Sequence, residues 1–96
     1  MRLKITAIDL GRKSFQNSYS ALSDEIKSAF KDAYRLLMTD PQPKKLRLEK
    51  LSGCKRPGIY TIHITPNHSH KLSFELVGTV AELRRIGTHK EIDRAP

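Results

Sequence analysis

The sequence predicts an α+β domain: an N-terminal strand and two helices packed on a mostly antiparallel sheet of four to five strands. Three observations carry this. Residues 23–37 hold a continuous helical stripe of apolar side chains. A proline pair, Pro41 and Pro43, then breaks the chain. From Leu46 onward, apolar and polar residues alternate in short runs punctuated by Gly, Pro and Asn. Helices followed by a run of strands is the order of an α+β fold, not of repeated βαβ units. With 96 residues the chain is one domain, 1–96, whose single modest core buries about 60 to 65% of the unfolded surface.

Taken in order, Leu3 to Leu10 is rich in Ile and Thr and stops at Gly11, which reads as a strand. Ser14 is placed to cap a short helix carrying Phe15, Tyr19 and Leu22 at i, i+4 and i+7. Ser23 opens the second helix, with Asp24 and Glu25 beside the positive end of its dipole. Ile26, Ala29, Phe30, Ala33 and Leu37 form the stripe, which needs a sheet to cover. Asp40-Pro41-Gln42-Pro43 ends it, because proline supplies no amide and restrains the residue before it.

The strand-rich half starts with Leu46 and Leu48 alternating with Lys45, Arg47 and Glu49, then a basic loop from Ser52 through Cys54, Lys55 and Arg56 to Gly58. Ile59 to Thr65 is the next strand, with Tyr60, Ile62 and Ile64 on the core face and Ile59, Thr61, His63 and Thr65 on the other. Pro66-Asn67-His68-Ser69 turns the chain. Leu72, Phe74 and Leu76 then alternate with Lys71, Ser73 and Glu75, Gly78 makes a tight connection, and Val80 to Ile86 returns, completing an antiparallel meander.

The charge balance bears on function. Eighteen Lys and Arg against ten Asp and Glu leave a formal charge of +8, which favours a polyanionic partner over a neutral small molecule. Residues 41–96 hold eleven basic and five acidic side chains, against seven and five in residues 1–40, so the partner surface is expected in the second half. Lys44, Lys45, Arg47, Lys50, Lys55 and Arg56 make a basic run suited to tracking a nucleic-acid backbone, with Arg84 and Lys90 as further candidates; a solvated edge is the competing reading. Cys54 is the only cysteine, which excludes an internal disulfide and suits a reducing cytoplasm. Met1-Arg2-Leu3-Lys4 lacks the apolar core of a signal peptide, and no run approaches the roughly 18 apolar residues of a membrane span.

Internal cleavage of RNA needs a base for the 2′-hydroxyl proton, an acid for the leaving 5′-oxygen and cations against the developing charge on phosphorus. Ile86-Gly87-Thr88-His89-Lys90-Glu91-Ile92-Asp93 crowds an imidazole among charges just after a strand. Gly87 can release the backbone there, so that His89 projects from a turn and can carry a proton near neutral pH. His63 faces away from the core, with Lys71 on the adjacent strand, and Lys71, Arg84 and Arg85 can neutralise phosphate. The competing readings are a solvated polar tail for His89 and a solvated strand face for the others. His68-Ser69-His70 places two imidazoles on one strand face but without carboxylates at ligand spacing, so no metal and no cofactor is expected.

At this point the residues carry a resemblance. Two early helices, a meander, a Tyr-x-Ile-x-Ile strand at 60–64, Lys-Leu-Ser-Phe-Glu at 71–75 and the closing Arg-Arg-Ile-Gly-Thr-His-Lys-Glu-Ile-Asp at 84–93 resemble the RelE/ParE toxin superfamily. The Gly-Thr-His segment is most similar to the YafQ-like branch. The resemblance covers nearly the whole chain in element order, and is sharpest from Leu46 to Asp93.

It implies a toxin of a type II toxin–antitoxin pair. RelE- and YafQ-like members cut messenger RNA, generally in the ribosomal A site, whereas ParE-like members poison DNA gyrase. On the RNA-cutting side it implies a metal-independent endoribonuclease, an mRNA interferase, and the match carries His89, His63 and Lys71 into the catalytic site; Arg85, for its proximity to the closing segment, and Asp93, placed to orient or tune His89, complete the candidate set. The implied partners are a cognate antitoxin, messenger RNA and the ribosome. Asp93 departs from the family, many of whose RNA-cutting members carry an aromatic there, which puts base stacking in doubt. A gyrase inhibitor without nuclease activity and a non-catalytic RNA-binding module remain the alternatives. The two histidines favour cleavage, which a gyrase inhibitor would not require. A free surface this basic would bind RNA indiscriminately, so the antitoxin is expected to set Asp and Glu against Lys44 to Arg56 and Lys71 to Arg85.

Overall fold

The computed structural model describes residues 3–39, 42–51 and 58–96; Cys54, Lys55 and Arg56 of the expected basic loop lie outside them. The chain opens with β1 (Ala7–Asp9), a shorter strand than the Ile- and Thr-rich run predicts. Helix α1 (Lys13–Ser20) follows, but Ser14 does not cap it. Arg12 holds the cap position, and the Ser14 hydroxyl donates instead to the Arg84 carbonyl at 2.8 Å. Helix α2 (Asp24–Leu37) begins as expected: the Ser23 hydroxyl accepts the Ile26 amide, and Asp24 and Glu25 sit in the first turn. Phe30, Ala33 and Leu37 are buried along its stripe, with Ile26 packed at the margin.

Beyond Pro43 the expected strand through Leu46 and Leu48 is replaced by a 3₁₀ turn, Lys44–Leu46, which buries Leu46 and ends on Arg47 in the left-handed region (φ 49°). Only Glu49–Lys50 pair as strand β2. The meander is then regular: β3 (Ile59–His63), β4 (His70–Val77) and β5 (Val80–Thr88), followed by a six-residue helix α3 (His89–Arg94). The five strands form one sheet in the order β1-β5-β4-β3-β2, antiparallel except for β1, which pairs in parallel with β5.

The core lies between the sheet and the pair α1 and α2. Phe15, Phe30, Ala33 and Leu37 pack against Tyr60, Ile62, Leu72, Phe74, Leu83 and Ile86, and fully burying each large apolar side chain contributes about 1.5–3 kcal/mol. Leu83 and Ile86 are three apart, a spacing that regular strand alternation would put on opposite faces. A register shift resolves this: Ser73 pairs with Arg85 and Phe74 with Leu83, so Arg84 is an extra residue that resets the phase of β5. The face of the sheet away from that core is not simply exposed. Ile59 and Thr61 are buried there, and Ile92 of α3 is buried where that helix meets β4 and β5.

Strand β5 has its outer edge covered in two halves. Residues 80–82 pair with β1, and beyond them the edge faces α1, where the Ser18 hydroxyl accepts the Ile86 amide (3.1 Å) and Ser14 donates to the Arg84 carbonyl. Two helical serines thus stand in for a missing strand partner, so these edge groups are not left unpaired. Arg12, at the start of α1, reaches Glu82 (2.7 Å) and Glu75 (3.0 Å), fastening that helix to β5 and β4. Gln42 is buried and fixes the N-terminal segment. Its amide nitrogen donates to the Leu3 and Leu37 carbonyls, and its carbonyl accepts the Leu3 amide. Among the described residues no helix is long and apolar enough to cross a membrane.

Candidate active site

Three local structures bring the candidate side chains together. The first is the pairing of β3 with β4, which sets His63 opposite Lys71. The second is the turn between these strands. The Thr65 hydroxyl accepts the Ser69 amide (3.0 Å), the Asn67 side-chain carbonyl accepts it too (3.1 Å), and the His68 amide donates to the Thr65 carbonyl. This closure holds His68 at φ 59°, a left-handed conformation that histidine visits more readily than most side chains.

The third is the start of α3. Strand β5 continues through Gly87, which pairs with Lys71, so the expected release of the backbone at Gly87 does not occur, and His89 is the first residue of a helix instead of a turn residue. A capping box makes that helix: the Thr88 hydroxyl accepts the Glu91 amide, while the Glu91 carboxylate accepts the Thr88 amide (3.0 Å) and hydroxyl (2.9 Å). The Thr88 donors hold the Glu91 carboxyl below its ordinary range. Gly87 leaves room for this, since a methyl group there would come within 3.0 Å of Glu91 Oε1. The His89 amide donates to the Ser69 carbonyl at 2.9 Å, tying α3 to the β3–β4 turn.

The result is a group of four connected side chains with a fifth alongside. Asp93 stands one turn beyond His89 on α3, with Oδ2 2.8 Å from His89 Nδ1 and Oδ1 2.8 Å from Lys71 Nζ. Lys71 is only 4% exposed, whereas Asp93 and His89 are 47% and 49% exposed, so the ammonium lies behind the carboxylate. The hydrogen bond from Lys71 is the foremost cause holding the Asp93 carboxyl below its usual range, against the partial burial that opposes it. His63 lies with its ring centre 5.4 Å from that of His89 and 4.7 Å from that of His68, the latter edge to face. Burial is the main cause pushing the His63 imidazole below its ordinary value, followed by the charges of His68, Lys71, His89 and Arg47. The Nδ1 atoms of His63 and His68 are buried without a hydrogen-bond partner among the described residues.

His63, Lys71, His89 and Asp93 therefore converge, although Lys71 faces Asp93 instead of open solvent. Arg85 is not brought to the imidazoles; it lines a separate groove with Ser14, Asn17, Ser18 and Glu91. Arg84 is half-buried and extends to Glu75 at 3.4 Å. Lys44, Lys45 and Arg47 are exposed and line a cleft that reaches His63, while Lys50 and Lys90 are exposed on β2 and α3. His68 is the neighbour the sequence reading left out of the site. Its signal was the turn itself, which had to bring residue 68 back over the end of β3.

No protein-family model and no curated protein sequence matches the chain. Solved structures do. YafQ from Escherichia coli superposes with a TM-score of 0.71 at 17% identity, over 93% of this chain and 98% of that one. The RelB–RelE antitoxin–toxin complex from Methanococcus jannaschii gives 0.60 at 16% identity, over 95% and 100%. A copper-bound variant of a toxin from Helicobacter pylori gives 0.59 at 22% identity, over 94% and 98%. The resemblance legible from the closing Gly87-Thr88-His89 segment and the meander thus extends to the three-dimensional architecture: this chain has the α+β fold of the RelE and YafQ toxins.

Proposed function

We propose that this chain is the toxin of a type II toxin–antitoxin pair and an endoribonuclease that cuts messenger RNA on the ribosome by metal-independent acid–base transesterification. The observation that carries this is the convergence of His63, His89, Asp93 and Lys71 from β3, α3 and β4 at one end of the sheet. Two imidazoles with ring centres 5.4 Å apart suit a reaction that removes one proton and delivers another across a single phosphate.

The environments divide the roles. His63 is held toward its neutral form by burial and by the cations around it, which suits the base that takes the 2′-hydroxyl proton. His89 has Nδ1 committed to Asp93, which leaves Nε2 to meet the substrate. As the imidazolium it donates from Nε2 to the departing 5′-oxygen while Asp93 balances its charge. Lys71 acts as a positioning residue, holding the carboxylate that holds His89. Arg47, exposed and close enough to influence His63 electrostatically, is the cation assigned to face the phosphate. An antitoxin with an acidic segment would cover Lys44, Lys45 and Arg47 and silence the chain, in keeping with a fold shared by the toxin of a RelB–RelE complex.

The test is His89→Ala. The side chain is half-exposed at the first position of α3 and contributes little to the core, so the variant should fold. Single-turnover cleavage of ribosome-bound message should fall about 10²- to 10⁴-fold, and growth arrest on expression should disappear. A folded His89→Ala variant that cuts message at the parental rate removes His89 from the mechanism and this reading with it.

A further inference from the structure

Beside the histidine group, and sharing His63 and His68 with it, α2, the Lys44–Leu46 turn and the β3–β4 turn enclose a cleft of about 530 Å³. Its lining includes His63 and His68 but none of Lys71, His89 or Asp93, so it adjoins the group on the His63 side. The volume falls within the range of small-molecule pockets, about 300–1,000 Å³. The floor is apolar, with Ala29, Leu36, Ile64 and Pro66, and the rim carries Lys44, Lys45 and Arg47. The one acid on the rim, Asp32, is engaged by Arg35 at 2.5 Å, so the net character of the entrance is cationic.

We propose that this cleft is a nucleobase subsite, which seats the base next to the cleavage point against the His68 imidazole and the apolar floor while Lys44, Lys45 and Arg47 hold its phosphate. The subsite rests on the reading of the chain as a ribonuclease. Three facts select a nucleotide over other occupants. An apolar floor under a cationic rim matches a flat base joined to a phosphate, whereas phosphate alone needs no such floor. The aromatic side chains near α1 and α2 are spent on one another: Phe15, Tyr19, Phe30 and Tyr34 form a chain of ring contacts, and Tyr60 stacks on Phe74 in the core. The imidazoles of His63 and His68 are the π faces lining the cleft. His68 is moreover held in place by a hydrogen-bonded turn and by its edge-to-face contact with His63, so it is rigid before any base arrives.

The experiment reads binding, not cleavage, and is carried out on the full chain bearing His89→Ala, so that its outcome does not depend on catalysis. Adenosine 5′-monophosphate and ribose 5-phosphate share a phosphate and differ by the base. Titration followed by NMR should move the methyl resonances of Ala29, Leu36 and Ile64 and the His68 ring with adenosine 5′-monophosphate. Loss of a base stack corresponds to roughly tenfold to hundredfold in affinity, so ribose 5-phosphate should bind weaker by that factor. Ala29→Leu, a good helix former on α2, fills the cleft. His68→Asn removes the ring but tolerates the left-handed backbone. Each should cost about tenfold in nucleotide affinity and leave the weak binding of ribose 5-phosphate unchanged. Equal affinities for the two probes, no shift at cleft methyls with millimolar nucleotide, or tighter binding of an acidic peptide than of the nucleotide at these same residues would each overturn the subsite. Cleavage that is lost in His89→Ala while cleft binding fails leaves the nuclease standing and the subsite refuted; cleft binding in a chain whose parent never cuts message does the reverse.

Discussion

Removal of the Asp93 carboxylate tests the site and the fold together, because that group is the only described acid in contact with the buried Lys71 ammonium. An exposed ion pair contributes about 0–1 kcal/mol, and breaking a fully buried one costs about 3–5 kcal/mol because a charge is stranded. Here one partner is 4% exposed and the other 47%. Water can partly reach the ammonium once the carboxylate is gone, so the expected loss for Asp93→Ala lies between those limits, about 1–3 kcal/mol. For a domain of this size that lowers Tm by roughly 5 to 20 °C, read by circular dichroism at pH 7. Adding Lys71→Met to Asp93→Ala removes the stranded charge and should recover part of the loss. The carboxyl is held below its ordinary range in the folded chain, so its stabilisation is complete above the unfolded value near 3.9 and is lost as pH falls through the lower folded value. Parent and variant should therefore converge in stability in strong acid. In cleavage, the variant should shift the pH–rate profile, since His89 loses its orienting acceptor. An Asp93→Ala chain that melts within about 1 °C of the parent, with no recovery in the double variant, would show that the Lys71–Asp93–His89 connection does not hold the site.

Three further outcomes follow from the same geometry. His63 is pushed below its ordinary value chiefly by burial, so the unfolded chain takes up its proton first: stability should be retained above about pH 6.5 and decline as pH falls below it, and His63→Gln should flatten that decline in urea unfolding midpoints measured at pH 7.5 and 5. Ser18→Ala strands the Ile86 amide that its hydroxyl satisfies and should lower stability by about 1–3 kcal/mol in thermal melts, while nucleotide binding in the cleft is unchanged. Cleavage should persist when a zinc-selective chelator is added with magnesium kept for the ribosome, as the proposed transfer of both protons by the two imidazoles requires; loss of activity restored by added zinc would overturn the acid–base scheme.

The helix α2 and the β3–β4–β5 meander were legible because each is written in its own residues: a serine cap with a stripe from Ile26 to Leu37, and alternation through Tyr60, Ile62, Leu72 and Phe74. What escaped depended on partners distant in the chain. Ser14 looks like a cap, but its hydroxyl is taken by a carbonyl 70 residues away. The bulge at Arg84 leaves no mark in an alternation pattern that it interrupts only once. Helix α3 is too short to show a period, although Thr88 and Glu91 carry a capping-box spacing that would have identified it. Burial of Lys71 was unreadable for the same reason, since its partner Asp93 stands on that helix. Of the group, His63, His89, Lys71 and Asp93 were all candidates by residue type and position, but the contacts that join them, and the imidazole of His68 that backs His63, needed the turn and the helix in place.

The parallel pairing of β1 with β5 has a temporal meaning. Residues 7–9 find their partners at 80–82, Arg12 finds its carboxylates at 75 and 82, and the Ser18 hydroxyl meets its amide at 86. Contacts of such separation close late and slow folding. The segment that ends at Gly78 contains α2 and the β3–β4 hairpin, and carries His63 and Lys71. It has neither His89 nor the strand edge that seats α1. Such a segment holds one imidazole of the pair without the other, so the group of His63, Lys71, His89 and Asp93 is complete only once β5 and α3 are in place.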